Sequence, residues 1–100
     1  MTQSLSAIGG HDAPQVLAQK HAPLVPYSAA TLSLVVNGQY EHYSGKRYQV
    51  LAVARHSETL EELVCYKALY DGEVWVRPAV MFTEEVSVNG QMLPRFKLVA

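Results

Sequence analysis

Residues 64–78 read Val64-Cys65-Tyr66-Lys67-Ala68-Leu69-Tyr70-Asp71-Gly72-Glu73-Val74-Trp75-Val76-Arg77-Pro78, and the choice between helix and strand over this stretch decides the fold. Val64, Tyr66, Ala68 and Tyr70 alternate with Cys65, Lys67 and Leu69, the period of a strand with two unlike faces. The run ends on Asp71-Gly72, a pair that supplies the positive φ of a tight hairpin turn. Val74-Trp75-Val76 follows, β-branched and aromatic throughout. A helix competes upstream, because Thr59 and Glu62 have capping-box spacing and Leu60, Leu63, Val64 and Lys67 fall on one helical face. The direct passage into the turn and the Val-Trp-Val triplet favours strands over 61–70 and 73–77.

Outward from that hairpin, Asn37-Gly38, Ser44-Gly45 and Asn89-Gly90 punctuate runs rich in Val, Leu, Tyr or Phe. With the same turn logic they delimit strands near 31–36, 39–43, 46–55, 84–88 and 91–98. Pro78 ends the sheet edge, and Ala79 to Phe82 has the length of a single 3₁₀ turn that plugs one end of the fold with Met81 and Phe82. Short strands joined by tight turns form a meander, which at this size closes into a small barrel or bends into a strongly curved sheet, because open edges invite aggregation, and an SH3-like barrel is the economical choice. The expected fold is mainly β: a small SH3-like barrel over 37–100, preceded by an N-terminal arm over 1–36. In the arm, Asp12 and Gln15 have capping-box spacing around Pro14, which predicts a short helix near 13–20, and Pro23 and Pro26 hold the next residues extended. An open strand edge would also permit self-association.

Composition narrows the function classes. The 100 residues suffice for one domain, and 49% hydrophobic against 17% charged residues exclude wholesale disorder. Eight Lys and Arg against nine Asp and Glu give a net charge of -1, so no global positive field holds nucleic acid or a membrane non-specifically. No apolar run reaches the roughly 20 residues of a spanning helix. Cys65 is the one cysteine, in an apolar strand run where it reads as an inert small hydrophobe, and the expected setting is cytoplasmic. His11, His21, His42 and His56 lack metal-ligand spacing, and no phosphate loop or dinucleotide fingerprint occurs, so neither metal nor cofactor is expected.

The loop Arg55-His56-Ser57-Glu58-Thr59 gathers a cation, an imidazole, two hydroxyls and a carboxylate. Loops on rigid β scaffolds are where sites are built. Adjacent residues rarely converge as nucleophile, base and orienting acid, so a self-contained triad is not expected there. Arg55 and His56 can instead present an anion-binding pair. Arg77 shares a face with Trp75 and can stack on a ring or meet Glu84 or Glu85. The expected ligand site comprises His42, Arg55, His56, Ser57, Glu58, Tyr66 and Arg77, in a non-enzymatic binding module for a peptide or small anionic ligand. The alternatives are a hydrolase or isomerase with His56 as base and a barrel that binds RNA through a local contact.

Several stretches together resemble a known family. Gly38-Gln39-Tyr40-Glu41-His42-Tyr43-Ser44-Gly45, then Tyr48 through Thr59 with its uninterrupted Ala54-Arg55-His56-Ser57-Glu58-Thr59, then Val64-Cys65-Tyr66, Leu69-Tyr70, Trp75-Val76-Arg77-Pro78, Met81-Phe82 and Pro94-Arg95-Phe96 resemble the small bacterial family called domain of unknown function 1653. The resemblance covers about residues 38–98 and leaves 1–36 outside. It implies an SH3-like barrel with a strand over 61–70, and an aliphatic residue where Cys65 stands. It implies no activity.

Overall fold

The computed structural model describes residues 24–100. The helix expected near 13–20 lies outside them. Among the described residues, seven strands and two single-turn helices follow one another in the order α1 (Ala29–Leu32), β1 (Gln39–His42), β2 (Arg47–Arg55), β3 (Glu62–Ala68), β4 (Val74–Pro78), α2 (Ala79–Phe82), β5 (Glu85–Val88), β6 (Gln91–Pro94) and β7 (Phe96–Leu98). The protein is mainly β, as the turn pattern predicts. Five strands form an antiparallel sheet ordered β4-β3-β2-β1-β7, and β5 pairs with β6 in a separate ribbon. The sheet does not close into a barrel: among the described residues β4 and β7 are its two edges, with no ladder between them.

The decisive hairpin is present. Tyr66 faces Trp75 and Val64 faces Arg77 across the β3–β4 ladder, and Gly72 turns the chain with φ of 78°. Of the four Gly-containing dipeptides, Asn89-Gly90 makes the two-residue hairpin, with Val88 opposite Gln91 and both turn residues at positive φ. Ser44-Gly45 and Asp71-Gly72 close longer loops, because β1 and β3 end before them.

Three expectations are corrected. Residues 31–36 are not a strand: α1 occupies Ala29–Leu32, capped by the Ser28 side chain, which accepts from the Thr31 N–H. Glu62 of β3 accepts from the Ser28 N–H, the Ser28 hydroxyl and the Thr31 hydroxyl, so a tertiary partner overrides the strand propensity of Thr31. The stretch 91–98 is two strands. At Arg95, whose N–H donates to the Glu84 carbonyl, the chain leaves the β5–β6 ribbon, and Phe96 joins β1 opposite His42. Finally, 79–82 is one α turn, closed by the Thr83 N–H on the Ala79 carbonyl. It buries Ala79 and Phe82 and leaves Met81 exposed, because side chains three apart share a helix side.

The core lies between one face of the sheet and the two helical turns. Tyr40, Val50, Val64, Tyr66, Ala79, Phe82 and Phe96 form it, flanked by Leu34 and Tyr48. Phe82 stacks on Phe96 with centroids 4.0 Å apart and meets Tyr40 and Tyr66 edge-on, the arrangements that ring quadrupoles favour. A β-bulge between Val50 and Ala52 resets the alternation of β2. Beyond it, Val53 faces Val64 and Arg55 faces Glu62, so Arg55 points to the core side and Ala52 and Ala54 point out.

Gly38 enters β1 under steric constraint. A Cβ there would lie 2.9 Å from the Val35 carbonyl oxygen and 3.0 Å from Leu98 Cδ1. The carbonyl cannot retreat freely, since it accepts from the Gly38 N–H. Gly38→Ala is expected to cost about 1–3 kcal/mol, the usual penalty of overpacking, read as a lower urea midpoint with an unchanged m-value.

Candidate functional site

The seven expected site residues fall in two places. Tyr48 and Arg55 stand near opposite ends of β2, about 20 Å apart along an extended strand. His42, Tyr66 and Arg77 meet in an aromatic cluster that includes Tyr48, whereas Arg55 through Glu58 belong to the β2–β3 connection.

That connection is internally braced. The His56 Nδ1 accepts from the Glu58 N–H at 3.1 Å and the Thr59 N–H at 3.3 Å, which places the proton of the neutral ring on Nε2. The His56 carbonyl accepts from the Leu60 N–H, and the His56 N–H donates to the Glu61 carbonyl. Leu60 completes the turn at φ of 63°. Arg55 lies 4.5 Å over the Tyr27 ring and donates to the Val25 carbonyl. It therefore ties the segment before α1 to the sheet. Ser57 and Glu58 are exposed, and neither of their side chains bonds Arg55 or His56 among the described residues.

At the other place, five strands each contribute a side chain to one surface: Arg77 from β4, Tyr66 from β3, Tyr48 from β2, His42 from β1 and Phe96 from β7. Phe96 lies 5.0 Å from the His42 ring, 5.5 Å from both Tyr48 and Tyr66, and 5.9 Å from the Arg77 guanidinium carbon. The two sheet edges thus approach through an arginine over a phenyl ring, with no backbone pairing. Arg77 Nε donates to the Tyr66 hydroxyl at 3.2 Å. Its terminal nitrogens have no hydrogen-bond partner among the described residues. Glu84, expected as a mate for Arg77, lies instead 3.5 Å from Arg95.

The charges here are mostly positive. The His42 Nδ1 accepts from the Ser44 N–H at 3.1 Å and lies 2.9 Å from its hydroxyl. Burial, then the charges of Arg77 and Arg95, hold its pKa below the ordinary value of 6.5. Tyr48 is pushed up to about 12, by burial first and then by its bond to the Tyr70 hydroxyl at 3.4 Å. It is a neutral hydroxyl at pH 7. Lys46 sits 4.6 Å over the Tyr70 ring. Arg95 adds a buried Nε with no partner among the described residues. Such a surface can bind a carboxylate or another small anion by charge-assisted hydrogen bonds. Sequence reasoning missed Arg95, since nothing local marks it as the residue where the chain changes sheets.

Among the described residues, no group of three or more His, Cys, Asp and Glu could hold a metal ion, and no helix is long and apolar enough to cross a membrane.

The family model described as Protein of unknown function (DUF1653) matches residues 38–98. A crystal structure of a DUF1653 protein from Bordetella bronchiseptica is similar, at 32% identity and a TM-score of 0.63, over 69% of this chain and 91% of that one. No curated protein matches the chain.

Proposed function

This chain belongs to the DUF1653 family of proteins of unknown function, and from that premise we propose a non-enzymatic, cytoplasmic binding module that takes a carboxylate, on a peptide or a small molecule, at Arg77. One observation carries the reading: a guanidinium fixed by a single bond to Tyr66, with its two terminal nitrogens unclaimed by any described residue, beside a second arginine and a histidine whose proton affinity is suppressed. A guanidinium held on one side presents a preorganised fork for a carboxylate on the other. The Tyr48 and Phe96 rings supply an apolar wall, and neutral His42 offers Nε2–H as a further donor. The loop 55–59 supports the fold in this reading, because its arginine and imidazole are already engaged.

The probes are acetate and succinate, titrated while the ring signals of His42 and His56 are followed by NMR. Saturable shifts are expected at His42 and not at His56, and Arg77→Gln is expected to weaken binding about tenfold or more, the worth of a charge-assisted hydrogen bond. Arg55→Gln is expected to leave binding in place. The sign of the pH effect follows from His42. Its folded pKa lies below its unfolded one, so the native ring disfavours protonation, and the stability it contributes falls as pH drops below about 6.5. A bound anion offsets the two arginine charges, so the His42 pKa rises in saturating succinate. An unmoved His42 pKa, or full binding by Arg77→Gln, overturns the assignment.

A further inference from the structure

The edge of the five-stranded sheet at β4 carries unpaired backbone groups in a regular pattern. The Ala68 N–H donates to the Glu73 carbonyl, and the register runs Tyr66 to Trp75 and Val64 to Arg77. In an antiparallel ladder the residues that exchange hydrogen bonds alternate with those that do not. Glu73, Trp75 and Arg77 therefore turn their N–H and C=O groups toward β3, and Val74, Val76 and Pro78 turn theirs outward. Proline, which has no N–H, falls on the outward set at the end of the strand, where it withholds no ladder bond from β3. No strand pairs with this edge among the described residues. Its side chains are apolar and open: Val74 is 49% exposed, Trp75 50% and Val76 60%.

We infer that β4 pairs antiparallel with β4 of a second copy of this chain, about a two-fold axis through Trp75, joining two five-stranded sheets into one of ten strands. The register follows from the free groups. Two outward-facing sets can bond only if Val74 meets Val74, Val76 meets Val76, or Val74 meets Val76. The first sets Val76 against Gly72, which is in a turn at φ of 78° rather than extended. The second sets Val74 against Pro78, which has no N–H to donate. Only the third keeps every bond of Val74 and Val76 within the strands. That register also places Glu73 opposite Arg77 of the other copy, opposite charges on one face, and puts the two Trp75 rings in the closely spaced non-hydrogen-bonded pair, where aromatic partners stabilise most. On the other face each Val74 lies against Val76, beside Lys67 and Cys65 of β3. A closed two-fold contact of this kind satisfies both edges and leaves no template for further growth at β4. The inference does not depend on the carboxylate reading.

The test has two arms on the full chain. Sedimentation velocity across a concentration series is expected to shift the mass from one chain to two, and Val76→Lys, at an exposed outward-facing position, is expected to abolish the shift while far-UV circular dichroism stays unchanged. In a Cys65→Ser background, Trp75→Cys is expected to form a covalent dimer on mild oxidation, since its Cα atoms would lie about 4.5 Å apart across the axis. Ser87→Cys, also exposed but on β5, is expected to stay monomeric. A single-chain mass at every concentration overturns the inference. So does a dimer that Val76→Lys leaves intact, or equal crosslinking at positions 75 and 87. Because Glu73 of the other copy would meet the same Arg77 that the carboxylate reading uses, acetate binding is read on Val76→Lys, where no dimer competes, and the failure of one proposal is told apart from that of the other.

Discussion

Phe82→Ala is expected to lower the unfolding free energy by about 3–5 kcal/mol, the range for truncating a fully buried phenylalanine. The ring is 1% exposed, stacked on Phe96 and met edge-on by Tyr40 and Tyr66. It comes from a single helical turn, so the backbone around it has little structure of its own to collapse into the gap. Domains of this size have about 5–15 kcal/mol in total, and the variant therefore approaches the unfolding threshold at 37 °C. Urea unfolding at pH 7 reads the loss. Met81→Ala, one residue earlier and exposed, is the control and is expected to change stability by less than about 1 kcal/mol. Equal losses at the two positions would mean that α2 does not plug the core as described.

The second large effect is at Tyr66, where the core and the candidate site share one side chain. Tyr66→Ala removes a buried ring that meets Tyr48, Phe82 and Phe96 and is expected to cost about 3–5 kcal/mol. Tyr66→Phe keeps the ring and removes only the hydroxyl that accepts from Arg77. Its expected cost in stability is about 0.5–1.5 kcal/mol. Its effect on binding is larger in proportion, because a released guanidinium must be ordered again when it meets an anion. Weaker succinate binding by a well-folded Tyr66→Phe, with the His42 shifts reduced, is the expected signature. Unchanged affinity in that variant would show that Tyr66 does not position Arg77 for a ligand.

Two of the places where reading and structure part are instructive at the level of single residues. Alternation through Val64, Tyr66 and Ala68 is visible because one face of β3 is buried and the other is not. Residues 31–36 carry the same kind of apolar signal, yet α1 forms there, because Glu62, some 30 positions away in the chain, gathers the Ser28 and Thr31 hydroxyls. The loop 55–59 drew attention for its density of polar types. Its arginine and its imidazole are already engaged: His56 braces two backbone amides and Arg55 holds Tyr27. Leu60 shows why this was hidden, since a leucine at positive φ gives no signal comparable to Asn-Gly.

Chain chemistry alone settled the mainly β class, the β3–β4 hairpin and the Asn89-Gly90 turn, because turn residues and two-residue periodicity act over a few positions and leave their mark in order. Tertiary structure alone decided that the sheet stays open, that the bulge in β2 turns Arg55 inward, that the chain changes sheets at Arg95, and that His42, Tyr66 and Arg77 share one surface while Arg55 and His56 do not. Each of these depends on which distant residue supplies a hydrogen-bond partner or fills a volume, and such partners are chosen by packing in three dimensions, where spacing along the chain carries no information.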